Sequence, residues 1–316
     1  MPSLEARRLT KRFNGTAALE EATFRYDGPG AIGYLGPNGA GKTTTLKLFT
    51  GFLRPTSGAA YLNGRDIAAD AKEALWDVGA LVETPEPYPA LTGRETLSMI
   101  GEFRGLSREQ IRDRTERLAA ELELPPLDRK TAKMSKGQRQ RIVIAAMLLP
   151  EPSVLLLDEP TSGLDPAERV IIRNLLVRLK GQNRLILMSS HLLSEVTEIC
   201  DRVIFINRGK ILLQDTVANV AARFRVTSLD VEFGRPVDPA RVAAVPGVRR
   251  STPVSPIRFR LEFDGEEGTR TRILEQCQQI APVASFGASS LSLEDAYMRL
   301  MQDAPGPTSP EPGRRP

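Results

Sequence analysis

From residue 4 to about 215, short apolar runs alternate with amphipathic stretches. Ala31-Ile32-Gly33-Tyr34-Leu35 is an apolar run that stops at a glycine-rich turn, and Thr43 to Thr50 then carries helical spacing. Val78 to Val82 reads as a strand, and Val154-Leu155-Leu156-Leu157 as a buried one ending at Asp158-Glu159-Pro160. Ala167 to Lys180 is amphipathic, with Val170, Ile171, Leu175 and Leu179 near one stripe. Leu185 to Met188 predicts a strand and Leu192 to Cys200 a helix. Val203 to Ile206 and Ile211 to Leu213 predict a hairpin about Arg208-Gly209. Strands alternating with helices imply a mostly parallel sheet covered on both faces. Residues 92 to 123 differ: they are helix-rich and charged, and most of their charges read as a solvated helix face.

After about residue 225 the pattern changes. Thr227 to Phe233 alternates like a strand, and Asp238 to Val245 suits a short helix capped by Asp238. Val248 to Thr252 and Ile257 to Phe263 read as strands, Thr269 to Ile280 as a helix and Val283 to Phe286 as a strand. That β-α-β-β-α-β order predicts a small ferredoxin-like α+β domain. Leu291 to Met301 predicts a final helix, and residues 303–316, rich in Pro and Gly, a disordered tail. The expected divisions are therefore 1–222, containing a helical insert at about 83–150, then 223–302, then the tail.

Composition changes this picture little. The 316 residues carry 41% hydrophobic and 26% charged side chains, ordinary for a globular chain with a sizeable core. A net charge of +4 is small for this length, and no basic stripe with interleaved aromatics occurs, so no nucleic-acid partner is expected. Cys200 and Cys277 stand far apart with no Cys or His near either, which fits neither a metal site nor a disulfide framework. No apolar run approaches the about 18 residues of a membrane span, and the N-terminus has no signal-peptide core. The chain is expected to be cytoplasmic, held at a membrane only by something else.

Two segments carry chemistry. Gly36-Pro37-Asn38-Gly39-Ala40-Gly41-Lys42-Thr43 matches the phosphate-loop pattern GxxxxGK[ST], between a predicted strand and a predicted helix. A triphosphate needs many donors at short range. Glycines let backbone N–H groups curl round it, and the helix that follows presents its positive end. Lys42 suits the β- and γ-phosphates, Thr43 a Mg²⁺ ion and Thr44 a further phosphate contact. At the end of the second buried strand, Asp158 is placed to hold Mg²⁺, directly or through water, and Glu159 to polarise an attacking water.

Between these, Met134-Ser135-Lys136-Gly137-Gln138-Arg139-Gln140-Arg141 precedes the Asp-Glu strand, and Thr161-Ser162-Gly163-Leu164-Asp165-Pro166 follows it. With the phosphate loop, this constellation resembles the ATP-binding subunits of ABC transporters over residues 4 to about 220. The resemblance implies an ABC-type P-loop fold: a mostly parallel α/β core sheet, an antiparallel β subdomain and a helical insert. It implies ATP and Mg²⁺ as cofactors, and ATP hydrolysis coupled to transport. Ser135, Gly137 and Gln138 would then contact the nucleotide of a second ATPase subunit, with Asp165 at the dimer interface. Phe13 would stack on adenine, and His191 would touch the γ-phosphate. A lone histidine is more often structural, but this one ends a strand after Ser189-Ser190.

Two positions depart from the family pattern. Lys136 stands where Gly is usual. Glu83 stands where most members carry Gln to sense Mg²⁺ and the membrane subunit. The surrounding Gly79-Ala80-Leu81-Val82-Glu83-Thr84-Pro85 is similar to the bacitracin-resistance and lantibiotic-immunity branch of exporters. Glu83 then either binds Mg²⁺ or orients water, or serves structure alone. The C-terminal region, with Leu293-Glu294-Asp295-Ala296-Tyr297, resembles the appended domain of such exporters. The implied partners are an identical ATPase chain and an integral-membrane permease, which would place the chain on the cytoplasmic face of the cell membrane. The rival class, soluble ABC ATPases of translation or DNA repair, usually carries two cassettes or long coiled coils, and this sequence shows neither.

Overall fold

The computed structural model describes residues 1–83, 85–223 and 228–288. The chain forms two compact units, Met1–Asp215 and a second beginning at Thr216. The helix expected at Leu291–Met301, the Leu293–Tyr297 motif, the tail from residue 303 and Thr84 lie outside the described residues.

In the first unit, β1 (Ser3–Phe13), β2 (Thr16–Asp27), β4 (Ser57–Leu62) and β5 (Arg65–Asp66) form an antiparallel sheet in the order β2-β1-β4-β5. The second sheet has the order β10-β9-β3-β8-β7-β6, from β3 (Gly30–Leu35), β6 (Val78–Leu81), β7 (Val154–Asp158), β8 (Leu185–Ser190), β9 (Arg202–Asn207) and β10 (Lys210–Thr216). The β6–β7, β7–β8, β8–β3 and β3–β9 pairs are parallel. This ordering brings the ends of β3, β7 and β8 together: Leu35 stands beside Ser190, and Asp158 beside Ser189. β10 folds back on β9 through Arg208 and Gly209, both at positive φ (47° and 77°), as a two-residue hairpin turn demands.

The helices are α1 (Lys42–Phe49), α2 (Ala71–Ala74), α3 (Gly93–Phe103), α4 (Arg108–Glu121), α5 (Lys136–Leu148), α6 (Pro166–Lys180) and α7 (Leu193–Ile199). Helices α3, α4 and α5 each begin in a closed capping box, which explains why the charged insert is helical despite little apolar surface. Its charges are mostly solvated, but Arg104 donates to Trp76 O (2.6 Å) and Arg114 to Leu149 O (3.0 Å). Burial lowers the Arg104 pKa from its usual value.

The first core runs between the two sheets and buries α1. Phe24 stands 5.9 Å from Phe49 and 6.1 Å from Tyr34, ring centre to ring centre. On α6 the buried stripe is Ile172, Leu175, Leu176 and Leu179, while Val170 is exposed. The expected stripe included Val170 and Ile171. The i, i+3, i+4, i+7 spacing that starts at Ile172 is the one that meets the sheet.

The second unit opens with α8 (Val217–Arg223) and continues with β11 (Ser228–Phe233), α9 (Pro239–Ala243), β12 (Arg250–Pro253), β13 (Arg258–Glu262), α10 (Glu267–Ile280) and β14 (Val283–Ala288). The sheet order β12-β13-β11-β14 is all antiparallel and has the ferredoxin-like topology. Leu229, Val231, Phe233, Phe259 and Leu261 bury against Val242 of α9 and Ile273 of α10. The alternate residues carry charge, and Arg260 bonds Asp230 at 3.0 Å.

Both cysteines are buried. Burial pushes the Cys277 thiol up to about 11, and that of Cys200, beside Asp201, higher still. Neutral thiols are poor nucleophiles. At pH 8 the folded chain should therefore react with a thiol reagent on the order of a hundredfold more slowly than the chain in denaturant. Equal rates would contradict this packing. Phe49→Ala should cost about 3–5 kcal/mol in urea unfolding.

Candidate nucleotide site

The loop Gly36–Gly41 joins β3 to α1 and is tight for steric reasons. A Cβ on Gly36 would meet Ile206 O at 2.3 Å, and one on Gly41 would meet Ala18 O at 2.4 Å. Gly41 is the N-cap of α1 at φ 107°, a conformation that suits glycine. No side chain caps α1, and its first turn holds no acidic residue. Its leading amides are thus available to an external anion, as a phosphate cradle requires. Lys42 is buried and curls back on the loop, donating to Gly36 O (2.9 Å) and Pro37 O (3.2 Å). Those carbonyls hold its ammonium inside the cradle. Asn38 and Gly39 are exposed at the loop tip, Ala40 is buried, and Thr44 is half-buried on α1.

All five residues of β7 are buried, and the strand delivers Asp158 to the mouth of this loop. Both carboxylate oxygens are engaged. Thr43 Oγ1 donates to Oδ2 at 2.7 Å, and Ser189 Oγ donates to Oδ1 at 2.5 Å. Ser189 in turn accepts from the Glu159 amide (3.0 Å). The Thr43–Asp158 spacing also suits Mg²⁺, because neighbouring oxygens on an octahedral Mg²⁺ stand about 2.8–3.0 Å apart. No group of three or more Asp, Glu, His or Cys side chains among the described residues forms a self-sufficient metal cage. A Mg²⁺ held by one carboxylate and one hydroxyl takes its remaining ligands from phosphate and water, which is its usual habit in phosphoryl-transfer sites.

Glu159 has φ 44°, a left-handed conformation for a non-glycine residue, and turns out of the strand end. Its carboxylate lies between two cationic or ionisable partners: Oε1 is 3.5 Å from Lys42 Nζ, and Oε2 is 3.1 Å from His191 Nδ1. Thr43, Glu83, Gln140, Asp158, Glu159 and Ser162 line a cavity of about 640 Å³. Glu83 also has positive φ (64°), and its carboxylate pairs with Lys47 of α1.

Three supporting residues were not singled out from the sequence. Ser189 ties Asp158 to the Glu159 amide. Glu195 of α7 accepts from Thr161 Oγ1 and, at 2.9 Å, from Ser190 Oγ, so one carboxylate ties the loop after β7 to the end of β8. Gln140, buried on α5, reaches Pro160 O at 3.5 Å. A Ser-Ser pair at a strand end was the available signal for Ser189. Nothing in the local sequence marks Glu195.

The remaining expected residues stand elsewhere. Phe13 ends β1 and is 45% exposed, with Lys11 Nζ 5.1 Å from its ring centre. Ser135 is the exposed N-cap of α5. Its hydroxyl accepts from the Gln138 amide (3.1 Å), and the Gln138 side chain accepts from the Ser135 amide (3.0 Å). Gln138 therefore has a local structural task. Gly137 is buried on the same turn, and Lys136 extends over Gly163. Asp165 is exposed and caps α6. Ser135, Gly137 and Asp165 are not among the residues lining the cavity around Asp158.

The ABC transporter family model matches residues 19–162, which hold the phosphate loop, Ser135 and the Asp158-Glu159 pair. The ABC transporter ATP-binding protein NatA of Bacillus subtilis (strain 168) is 32% identical over 231 residues, 72% of this chain and 94% of its own length. The chain belongs to the ABC transporter ATP-binding proteins. The bacitracin transport ATP-binding protein BcrA of Bacillus licheniformis is 37% identical over 209 residues, 65% of this chain and 66% of its own length. A solved ATP-binding subunit of an ABC transporter superposes with a TM-score of 0.65 at 30% identity, covering 70% of this chain and 92% of that one. The chain is thus an ABC-type ATPase subunit that binds ATP. No helix among the described residues is long and apolar enough to cross a membrane.

Glu195→Ala should release both the Thr161 and the Ser190 contacts. The expected result is a fall in ATPase kcat of about tenfold or more with ATP affinity retained, since the phosphate loop is untouched. Equal loss of binding and turnover in an ATPase titration would count against this role.

Proposed function

We propose that this chain works as a dimer in which each ATP lies between one phosphate loop and the Ser135–Gly137 turn of the partner, and that closure drives a membrane permease. The observation that carries the reading is that the cavity of one chain holds Thr43, Asp158 and Glu159 but not its own Ser135 turn. An ATP seated there presents its γ-phosphate outward, and the N-terminus of a second chain's α5 is the anion-binding end it would meet. Asp165, exposed at the start of α6, would belong to the same interface, and the exposed ring of Phe13 would stack on adenine.

Within the site, Lys42 leaves the loop carbonyls for the β- and γ-phosphates, and Thr44 adds a contact. Thr43 and Asp158 hold Mg²⁺, which supplies neutralisation of charge on the transferring phosphoryl group. Ser189 keeps the Asp158 carboxylate in one orientation. Glu159 accepts a proton from the attacking water, and His191, 3.1 Å away, orients that carboxylate and reaches toward the γ-phosphate. The departing group is ADP, stabilised by the loop amides and Lys42.

The permease contact is assigned to an apolar groove of about 330 Å³ that includes Val78, Pro85, Ile100, Val143 and Met147. Arg104 lines it too and stands over the Trp76 ring (5.8 Å to the ring centre), and Trp76 and Phe103 are 56% and 76% exposed. Exposed aromatics beside an apolar groove suit a short helix of a membrane subunit. The groove is lined by Val78, Gly79 and Ala80 of β6, which ends two residues before Glu83. The Glu83–Lys47 ion pair would therefore link permease contact to α1 and the phosphate loop. Closure would move the helical insert, roughly residues 83 to 128, against the permease. A location on the cytoplasmic face of the cell membrane follows from that partner. Export is the direction proposed here, on the resemblance of the Glu83 loop to exporters of the bacitracin-resistance and lantibiotic-immunity branch.

Glu159→Gln should bind ATP, hydrolyse it at least about a hundredfold more slowly and accumulate as a dimer on size-exclusion chromatography with light scattering. A variant that stays monomeric with bound ATP would remove the shared-site reading. Glu83→Ala should reduce transport in reconstituted vesicles more than it reduces ATP binding, and wild-type transport would remove its assigned role.

A further inference from the structure

Helix α6 opens with Asp165-Pro166-Ala167-Glu168, an order that favours a reciprocal cap in which the last side chain returns to the first amide. Only half of it forms: the Glu168 amide donates to Asp165 Oδ1 at 2.9 Å. At Thr92/Glu95, Ser107/Gln110 and Ser135/Gln138 both halves close. The Glu168 side chain turns instead onto the first turn of α5. A Cβ built on Gly137 would stand 1.8 Å from each of its carboxylate oxygens. Position 137 therefore admits no side chain while Glu168 lies there, and Gly137 is buried. The first turn of α5 contains no acidic residue of its own, so α6 supplies one across the gap.

We infer that Glu168 is a positioning residue that sets the electrostatic cost of seating the partner chain's nucleotide against α5. This rests on the shared-site reading above. In the separated chain, the carboxylate lies beside the positive end of α5, where an anion is favoured. In the closed dimer a γ-phosphate must approach the same turn, and two anions there repel. A triphosphate overcomes that repulsion through its contacts with both chains. Once the terminal phosphate has been cleaved and lost, Glu168 again neutralises the turn and favours reopening. Glu168 thus opposes the closed state and helps to make closure depend on the terminal phosphate.

The test compares Glu159→Gln with Glu159→Gln/Glu168→Gln by analytical ultracentrifugation in ATP. Glutamine keeps the shape and removes the charge. The expected result is a dimer dissociation constant lowered about fivefold at about 50 mM salt, with the difference shrinking at about 500 mM as the repulsion is screened. Glu168→Asp, which keeps the charge, should stay near the parent. If Glu168 merely supports α6 or the interface, the glutamine variant will dimerise equally or more weakly at low salt, and the inference is overturned. A Glu159→Gln parent that remains monomeric in ATP overturns the shared-site reading itself, and this inference with it.

Discussion

The carboxylate of Asp158 is the point on which the site depends. It stands at the end of a strand buried along its whole length, and both oxygens are held, one by Thr43 of α1 and one by Ser189 of β8. A buried carboxyl side chain is tolerated there because each oxygen has a hydrogen-bond donor. The Thr43 bond registers the helix after the phosphate loop against β7, and the Ser189 bond registers β8 against it, one residue before Glu159. Parallel pairing of β7 with β8, and of β8 with β3, makes that registration possible, because all three strands end on the same side of the sheet.

Around this point the structure uses loops of restricted freedom. The phosphate loop is pressed against Ala18 O and Ile206 O, where no Cβ fits. Glu159 leaves β7 through a left-handed residue, and Glu195 fastens the loop beyond it to the end of β8. The fixed part of the site is therefore the glycine loop and the hydrogen-bonded Thr43–Asp158 pair. The residues of the Ser135 turn stand apart from it on a differently built element, a capped helix in the insert. Such a division suits an enzyme whose reaction waits on a second surface.

Much of this was legible in the sequence, for identifiable reasons. The phosphate loop and the Val154–Asp158 strand are local patterns whose spacing encodes their geometry, and both lie where expected. The order of strands and helices after residue 225 also follows from alternation and capping alone, down to the Asp238 cap. Other features depend on contacts between distant segments. Glu195 and Ser189 act across 34 and 31 residues of chain, with no local mark of their partners. The buried stripe of α6 begins at Ile172, two residues after the apolar run starts, because the sheet surface decides which face is covered. Glu83 was expected to serve Mg²⁺ or water; its pairing with Lys47 joins residues 36 positions apart in the chain, and no local pattern marks it.

The central claim is that a complete site needs two chains. The most direct test is the ATPase rate per chain as a function of chain concentration, with Mg²⁺ and ATP saturating. The account predicts a rate per chain that rises with concentration and then levels off as dimers saturate. A rate per chain that stays constant down to concentrations where sedimentation shows only monomer would contradict it.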